Sequence, residues 1–296
     1  MNRAMSSPII QTEDRRIFRS EKAAIGGVAS AAHGGPIVPH TREGHEQSFG
    51  TSLGDHCWTT PHQRRPLLVP PIHERLNLLS QAVQMVAQKI LPSLILVGPP
   101  GLGKSYEVTG TLHALGLERD HDYFLLKGYA SARGLYESLY RHNDCVLVCD
   151  DCDNALTDPV AVELLKGALD SYDVRTIAWL SAAKRGGAIP PRFDFTGAVI
   201  FISNRLLVEI DEPIRNRSLV IDLQMSRAEM LERMETLLPR FEPKATAEQR
   251  RLAMNFVRHW APNIQQLSLR TLRAVLRIIQ ANPRGWEQLA VYATTR

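Results

Sequence analysis

Apolar residues recur at helical spacing through residues 72–91. Leu76, Leu79, Val83, Val86 and Ile90 fall on one stripe, so this segment predicts a helix that Pro92 ends. Ser93-Leu94-Ile95-Leu96-Val97 follows, almost wholly apolar, as expected of a strand buried on both faces. Similar short runs at 123–127, 145–149, 176–180 and 198–203 predict further strands. Stretches with helical periodicity at 105–115, 132–141 and 159–170 separate most of them. That alternation predicts a parallel α/β sheet.

The pattern changes after Asp222. Ser226 with Glu229 three residues on is a capping-box signature, and it opens a helix over 226–238. Further helices are predicted at 246–260 and 268–280, with a short fourth at 286–292. The chain therefore divides into three parts. Residues 1–65 show no sustained period and read as a flexible arm, 66–223 as an α/β core, and 224–296 as a small all-helical domain.

Composition sharpens this division. The apolar fraction of 44% supports a sizeable core over the 296 residues. The formal net charge of +4 is unevenly spread. The arm carries 8 basic and 6 acidic residues, the core 15 and 19, and the C-terminal part 12 and 6. Such modest basic regions are compatible with nucleic acid without requiring it. Five of the 10 histidines lie in the arm, but their spacing fits no compact metal-ligand pattern. No apolar run is long enough to span a membrane, and the N-terminal stretch has no apolar h-region. Only four cysteines occur, three of them between Cys145 and Cys152, which reads as buried small hydrophobes rather than a disulfide framework or zinc site. The expectation is a reduced, cytoplasmic protein without a membrane partner.

Gly98-Pro99-Pro100-Gly101-Leu102-Gly103-Lys104-Ser105 matches G-x-x-x-x-G-K-[ST], with a strand before it and a helix after it. Glycines let backbone N–H groups curl around a phosphate chain, and the helix points its positive end at the anion. Lys104 would supply charge for the β- and γ-phosphates, and the Ser105 hydroxyl would reach Mg²⁺. The apolar strand Val146-Leu147-Val148-Cys149 ends in Asp150-Asp151. Asp150 would hold Mg²⁺ through water, and Asp151 would orient or deprotonate the attacking water.

These two motifs, followed by Ala198-Val199-Ile200-Phe201-Ile202-Ser203-Asn204-Arg205, resemble the AAA+ ATPase family. The resemblance spans roughly residues 66–296. It implies a parallel-sheet P-loop core followed by a helical lid, with ATP and Mg²⁺ as cofactors and ATP hydrolysis as the activity. It also implies a homo-oligomeric ring, with a hexamer as the first expectation. In that family a strand between the phosphate-loop and acid strands ends in a polar sensor residue, here Asn204, which would help hold the attacking water. Arginines at a subunit boundary follow, and Ile210-Asp211-Glu212-Pro213-Ile214-Arg215-Asn216-Arg217-Ser218 looks like that segment. Arg217 first, and Arg215 second, would reach the neighbour's γ-phosphate. A second sensor arginine belongs near the start of a late helix, where Arg270 is the first choice; Arg273 and Arg277 share its helix face.

The sequence departs from the family at Asp151, where a glutamate is usual. An aspartate carboxylate sits a little over ~1 Å further back, a misplacement that can cost ~10²-fold in rate. Either hydrolysis is slow or the backbone compensates. Lys127-Gly128-Tyr129-Ala130-Ser131 and the basic, Gly-rich 181–188 run are candidate substrate loops, suited to a polynucleotide backbone or an extended peptide. Three functions stay open: an ATPase in DNA metabolism, of the compact single-module kind that bacteriophages and mobile elements encode; a protein-remodelling ATPase acting on a protein client; and a nucleotide-dependent scaffold that hydrolyses slowly. If phage-encoded, the protein would work in the host cytoplasm.

Overall fold

The computed structural model describes residues 69–180 and 189–295. The predicted arm over 1–65 and the 181–188 run with Lys184 and Arg185 lie outside the described residues.

The first elements are α1 (Ile72–Ala87), β1 (Ser93–Val97), α2 (Lys104–Ala114), β2 (Tyr123–Lys127), α3 (Ala132–Arg141), β3 (Val146–Asp150) and α4 (Pro159–Ala168). A hairpin of β4 (Arg175–Ala178) and β5 (Arg192–Phe195) follows, then β6 (Ala198–Ile202), α5 (Glu212–Asn216) and β7 (Leu219–Asp222). The chain continues through α6 (Arg227–Leu237), α7 (Ala247–Trp260), α8 (Leu269–Ala281) and α9 (Trp286–Thr294). Five strands form one parallel sheet in the order β2-β3-β6-β1-β7. The fold is therefore α/β, as the alternation of elements predicted.

Every residue of β1, β3 and β6 is buried, which explains their uninterrupted apolar runs. Their side chains alternate between two cores. Leu94, Leu96, Val146, Val148, Ala198 and Ile200 face a cluster shared with α1, α2 and the C-terminal helices. Ile95, Val97, Leu147, Cys149, Val199 and Phe201 face a second cluster with α3, α4 and the hairpin.

The strand at 176–180 differs from expectation. It pairs antiparallel with β5, outside the parallel sheet, while β7 takes the sheet edge beside β1. Residues in β4 alternate buried and exposed, the mark of a two-stranded ribbon with one solvated face. Helix α1 also ends at Ala87, well before Pro92, where Lys89 turns into the left-handed region at φ 60°. Side-chain caps open α3, α4, α6 and α7. Asp158 accepts from Ala161 N ahead of Pro159, and Ser226 and Glu229 close the predicted capping box. Among the described residues, no helix is long and apolar enough to cross a membrane.

Two ion pairs fasten α6 to the earlier helices. Arg75 of α1 reaches Glu229, and Arg233 reaches Glu107 in the first turn of α2. The Arg233 and Glu107 side chains are only 11% and 16% exposed.

Candidate functional site

Parallel pairing aligns Leu96, Asp150 and Ile202 across β1, β3 and β6, so the ends of these three strands form one carboxyl edge. Ligand sites in open α/β sheets form at such edges. The loop 98–103 rises from β1, and Lys104 opens α2. A side chain at Gly98 would collide with Leu223 O at 2.3 Å, and φ there is +145°. One at Gly101, where φ is +81°, would meet Ser268 Cβ at 2.7 Å. Both positions therefore need glycine. Leu269 N also donates to Gly101 O at 3.0 Å, so the start of α8 rests directly on this loop.

Lys104 is 5% exposed. Its ammonium donates to Gly98 O at 2.5 Å, Pro99 O at 2.9 Å and Asn204 Oδ1 at 2.9 Å. Burial pulls its pKa below the ordinary lysine value, and the charges of Asp151 and Asp150 oppose that pull. Ser105 Oγ donates to Asp150 Oδ1 at 2.8 Å. Asn204 Nδ2 donates to Asp151 Oδ1 at 2.7 Å. Asn204 therefore bridges the lysine and the second acid, and it extends from β6, which lies between β1 and β3.

These groups line a cavity of about 560 Å³ together with Gly101, Gly103 and Tyr106, with Phe241 and Glu242 from the connection between α6 and α7, and with Arg270 from α8. Arg270, Arg273 and Arg277 all reach its wall. Glu242 pairs with Arg273 at 3.0 Å and with Arg277 at 3.3 Å. Arg270 lies against the loop at Gly101 and pairs with no carboxylate among the described residues, and its charge also depresses the Lys104 pKa. Chemically, the loop amides and Lys104 form an anion cradle. The hydroxyl and carboxylate at Ser105 and Asp150 suit a hard divalent cation. Among the described residues no three His, Cys, Asp or Glu side chains gather into a metal-holding group, so such a cation would need further oxygens from a phosphate or water.

The other residues singled out in the sequence have the following surroundings. Lys127 Nζ lies 2.9 Å from Asp150 Oδ2, while its side chain stays 62% exposed. Tyr129 is 84% exposed. Arg215 and Arg217 are half-buried and do not line the cavity, and Arg217 Nη1 donates back to Pro213 O at 3.1 Å. Cys149 and Cys152 are buried beneath the acids, while Cys145 is partly exposed, its thiol raised to about 11, chiefly by burial. Asp151 adopts φ +58°, a left-handed conformation in which aspartate is commoner than longer side chains. Sequence reasoning missed Glu242, which no motif marks, and the cross-sheet contacts of Lys127.

No family model matches the chain. An Enterobacteria phage T4 protein, described as an uncharacterized 36.7 kDa protein of the nrdC-mobD intergenic region, is 26% identical over 241 residues, or 74% of this chain and 73% of that protein. Among solved structures, a RuvB variant from Thermotoga maritima superposes with a TM-score of 0.46 at 14% identity, covering 75% of this chain and 68% of that one.

Proposed function

We propose that this protein is a P-loop ATPase of the AAA+ kind that binds and hydrolyses Mg-ATP in a homo-oligomeric ring and works on DNA in replication, loading or processing. The observation that carries this reading is the meeting of Lys104, Ser105–Asp150 and Asn204–Asp151 at one carboxyl edge. The cavity falls within the range of small-ligand sites, roughly 300–1,000 Å³. The order β3-β6-β1 supports the AAA+ assignment, since it places the Asn204 strand between the loop strand and the acid strand. The phage T4 relative supports a phage or mobile-element origin and hence action in a host cytoplasm. DNA as client is supported by exposed Tyr129 and by the Lys184-Arg185 run of the sequence.

In this reading the loop amides and Lys104 hold the phosphates, with Arg270 approaching from α8. Ser105 and Asp150 would hold Mg²⁺, which when bound would neutralise charge on the phosphate oxygens. Asp151 and Asn204 hold the attacking water between carboxylate and amide. Arg217, with Arg215 as the second candidate, completes the site of the next subunit. Residues 224–296 act as the lid.

Turnover of ATP across a salt series, with and without single- and double-stranded DNA, tests the function. Stimulation by DNA that falls steeply as salt rises is expected. Stimulation by a protein client alone would transfer the protein to the remodelling class. Arg217→Ala is expected to abolish turnover of the assembled oligomer while leaving ATP binding by each chain intact, and full activity of that variant would remove the trans-acting role.

Asp151→Glu distinguishes an active hydrolase from a slow scaffold. The left-handed backbone already brings the aspartate to Asn204, and a longer side chain there would overshoot it. A loss of about 10-fold or more in turnover is expected. A gain of that size would show that the short acid limits hydrolysis.

A further inference from the structure

The acidic run after β3 contains a third carboxylate, Asp153, which has no task in the reading above and does not line the cavity. Its partner is Ser203, the residue before Asn204. Ser203 is fully buried and its N–H is held by Leu96 O at 3.0 Å, so it is a fixed point between β1 and β6. Ser203 Oγ donates to Asp153 Oδ1 at 2.5 Å and accepts from Arg205 N at 3.0 Å. The Arg205 guanidinium also approaches Asp153 Oδ2, at 3.8 Å. A side-chain strap thus joins the loop after β3 to the end of β6. It lies beside the Asn204–Asp151 hydrogen bond, beyond the last paired residues of either strand.

Asp151 needs such a strap. It holds a left-handed backbone, a conformation that persists in a residue other than glycine only where surrounding contacts impose it. Its own N–H reaches Ile202 O at 3.0 Å. The residues that follow are pinned by Asp153 on the β6 side and by Asn154, whose side chain bonds Ala130 N and Ala130 O, on the β2 side.

We propose that Asp153 is a positioning residue, which docks the loop carrying Asp151 onto Ser203 and so keeps that carboxylate in register with Asn204. The proposal rests on the ATPase reading for its consequence in catalysis, though not for the strap itself.

Asp153→Ala is expected to lower kcat about 10- to 100-fold, the scale of a misplacement near 1 Å, while the ATP affinity and KM stay within about 2-fold. Asp153→Asn keeps an oxygen acceptor for Ser203 and is expected to recover to within about 3-fold of wild type. Ser203→Ala should reproduce the Asp153→Ala loss, and the double variant should lose no more than either single one. Amide hydrogen exchange on the nucleotide-free protein gives a readout independent of turnover. The Asp151 N–H should exchange faster in Asp153→Ala but not in Asp153→Asn. Unchanged exchange, a fall in ATP affinity matching that in kcat, an Asn variant as poor as Ala, or multiplying losses would each overturn the proposal. Wild-type turnover in Lys104→Met would instead defeat the assignment of ATP hydrolysis to this cavity, with the exchange result still deciding the strap.

Discussion

Lys104→Met is expected to lower ATP affinity and turnover by about 10²- to 10³-fold, the cost of removing one preorganised donor from a phosphate or oxyanion site. Methionine keeps the unbranched stem, so the change isolates the ammonium. In the folded chain that ammonium satisfies Gly98 O, Pro99 O and Asn204 Oδ1 simultaneously. It also offsets the charges of Asp150 and Asp151, the interactions that hold its own pKa up against burial. Two effects of its loss therefore add. The phosphate cradle loses its cation, and Asn204 loses one of the two partners that orient its amide. Titration with ATP and a steady-state assay measure both, with circular dichroism confirming that the variant is folded. Wild-type affinity in a folded variant would mean that the cavity does not receive a phosphate chain.

The second large effect concerns stability. Arg233→Met should destabilise the protein by about 3–5 kcal/mol, because it leaves the Glu107 carboxylate buried without its countercharge. For a body of this size that corresponds to a fall of roughly 10 °C in Tm. Replacing both partners, Arg233→Met with Glu107→Leu, should restore most of the loss, since well-packed apolar groups often match a buried pair. Thermal unfolding of the three variants measures the cycle. A single variant as stable as wild type would show that water already solvates Glu107. The same pair joins α6 to the helix that starts at the phosphate loop.

The sequence announced most of the sheet because β1, β3 and β6 are buried on both faces and have no reason to alternate. It misled at β4, where a short apolar run looked the same whether it joined the sheet or a ribbon. It was silent at β7, whose residues are exposed or half-buried and carry no periodic signal over four positions. The phosphate loop was readable because glycine is required by backbone geometry, which a sequence records directly. Lys127–Asp150, Asp153–Ser203 and Glu242 with its two arginines were not readable. Each joins positions far apart in the chain, and a charged residue looks alike in sequence whether it meets solvent or a partner across the sheet.

One apolar cluster runs from α1 and α2 through one face of the sheet into α6, α7, α8 and α9. Those last helices are consequently not an interchangeable module. Grafting the equivalent segment from another protein would have to reproduce Met234, Met254, Val257, Leu272 and Leu276 against an existing surface, or leave voids in the same core that supports the phosphate loop. An exchange that separates the sheet from these last helices would therefore have to repack both sides of that core.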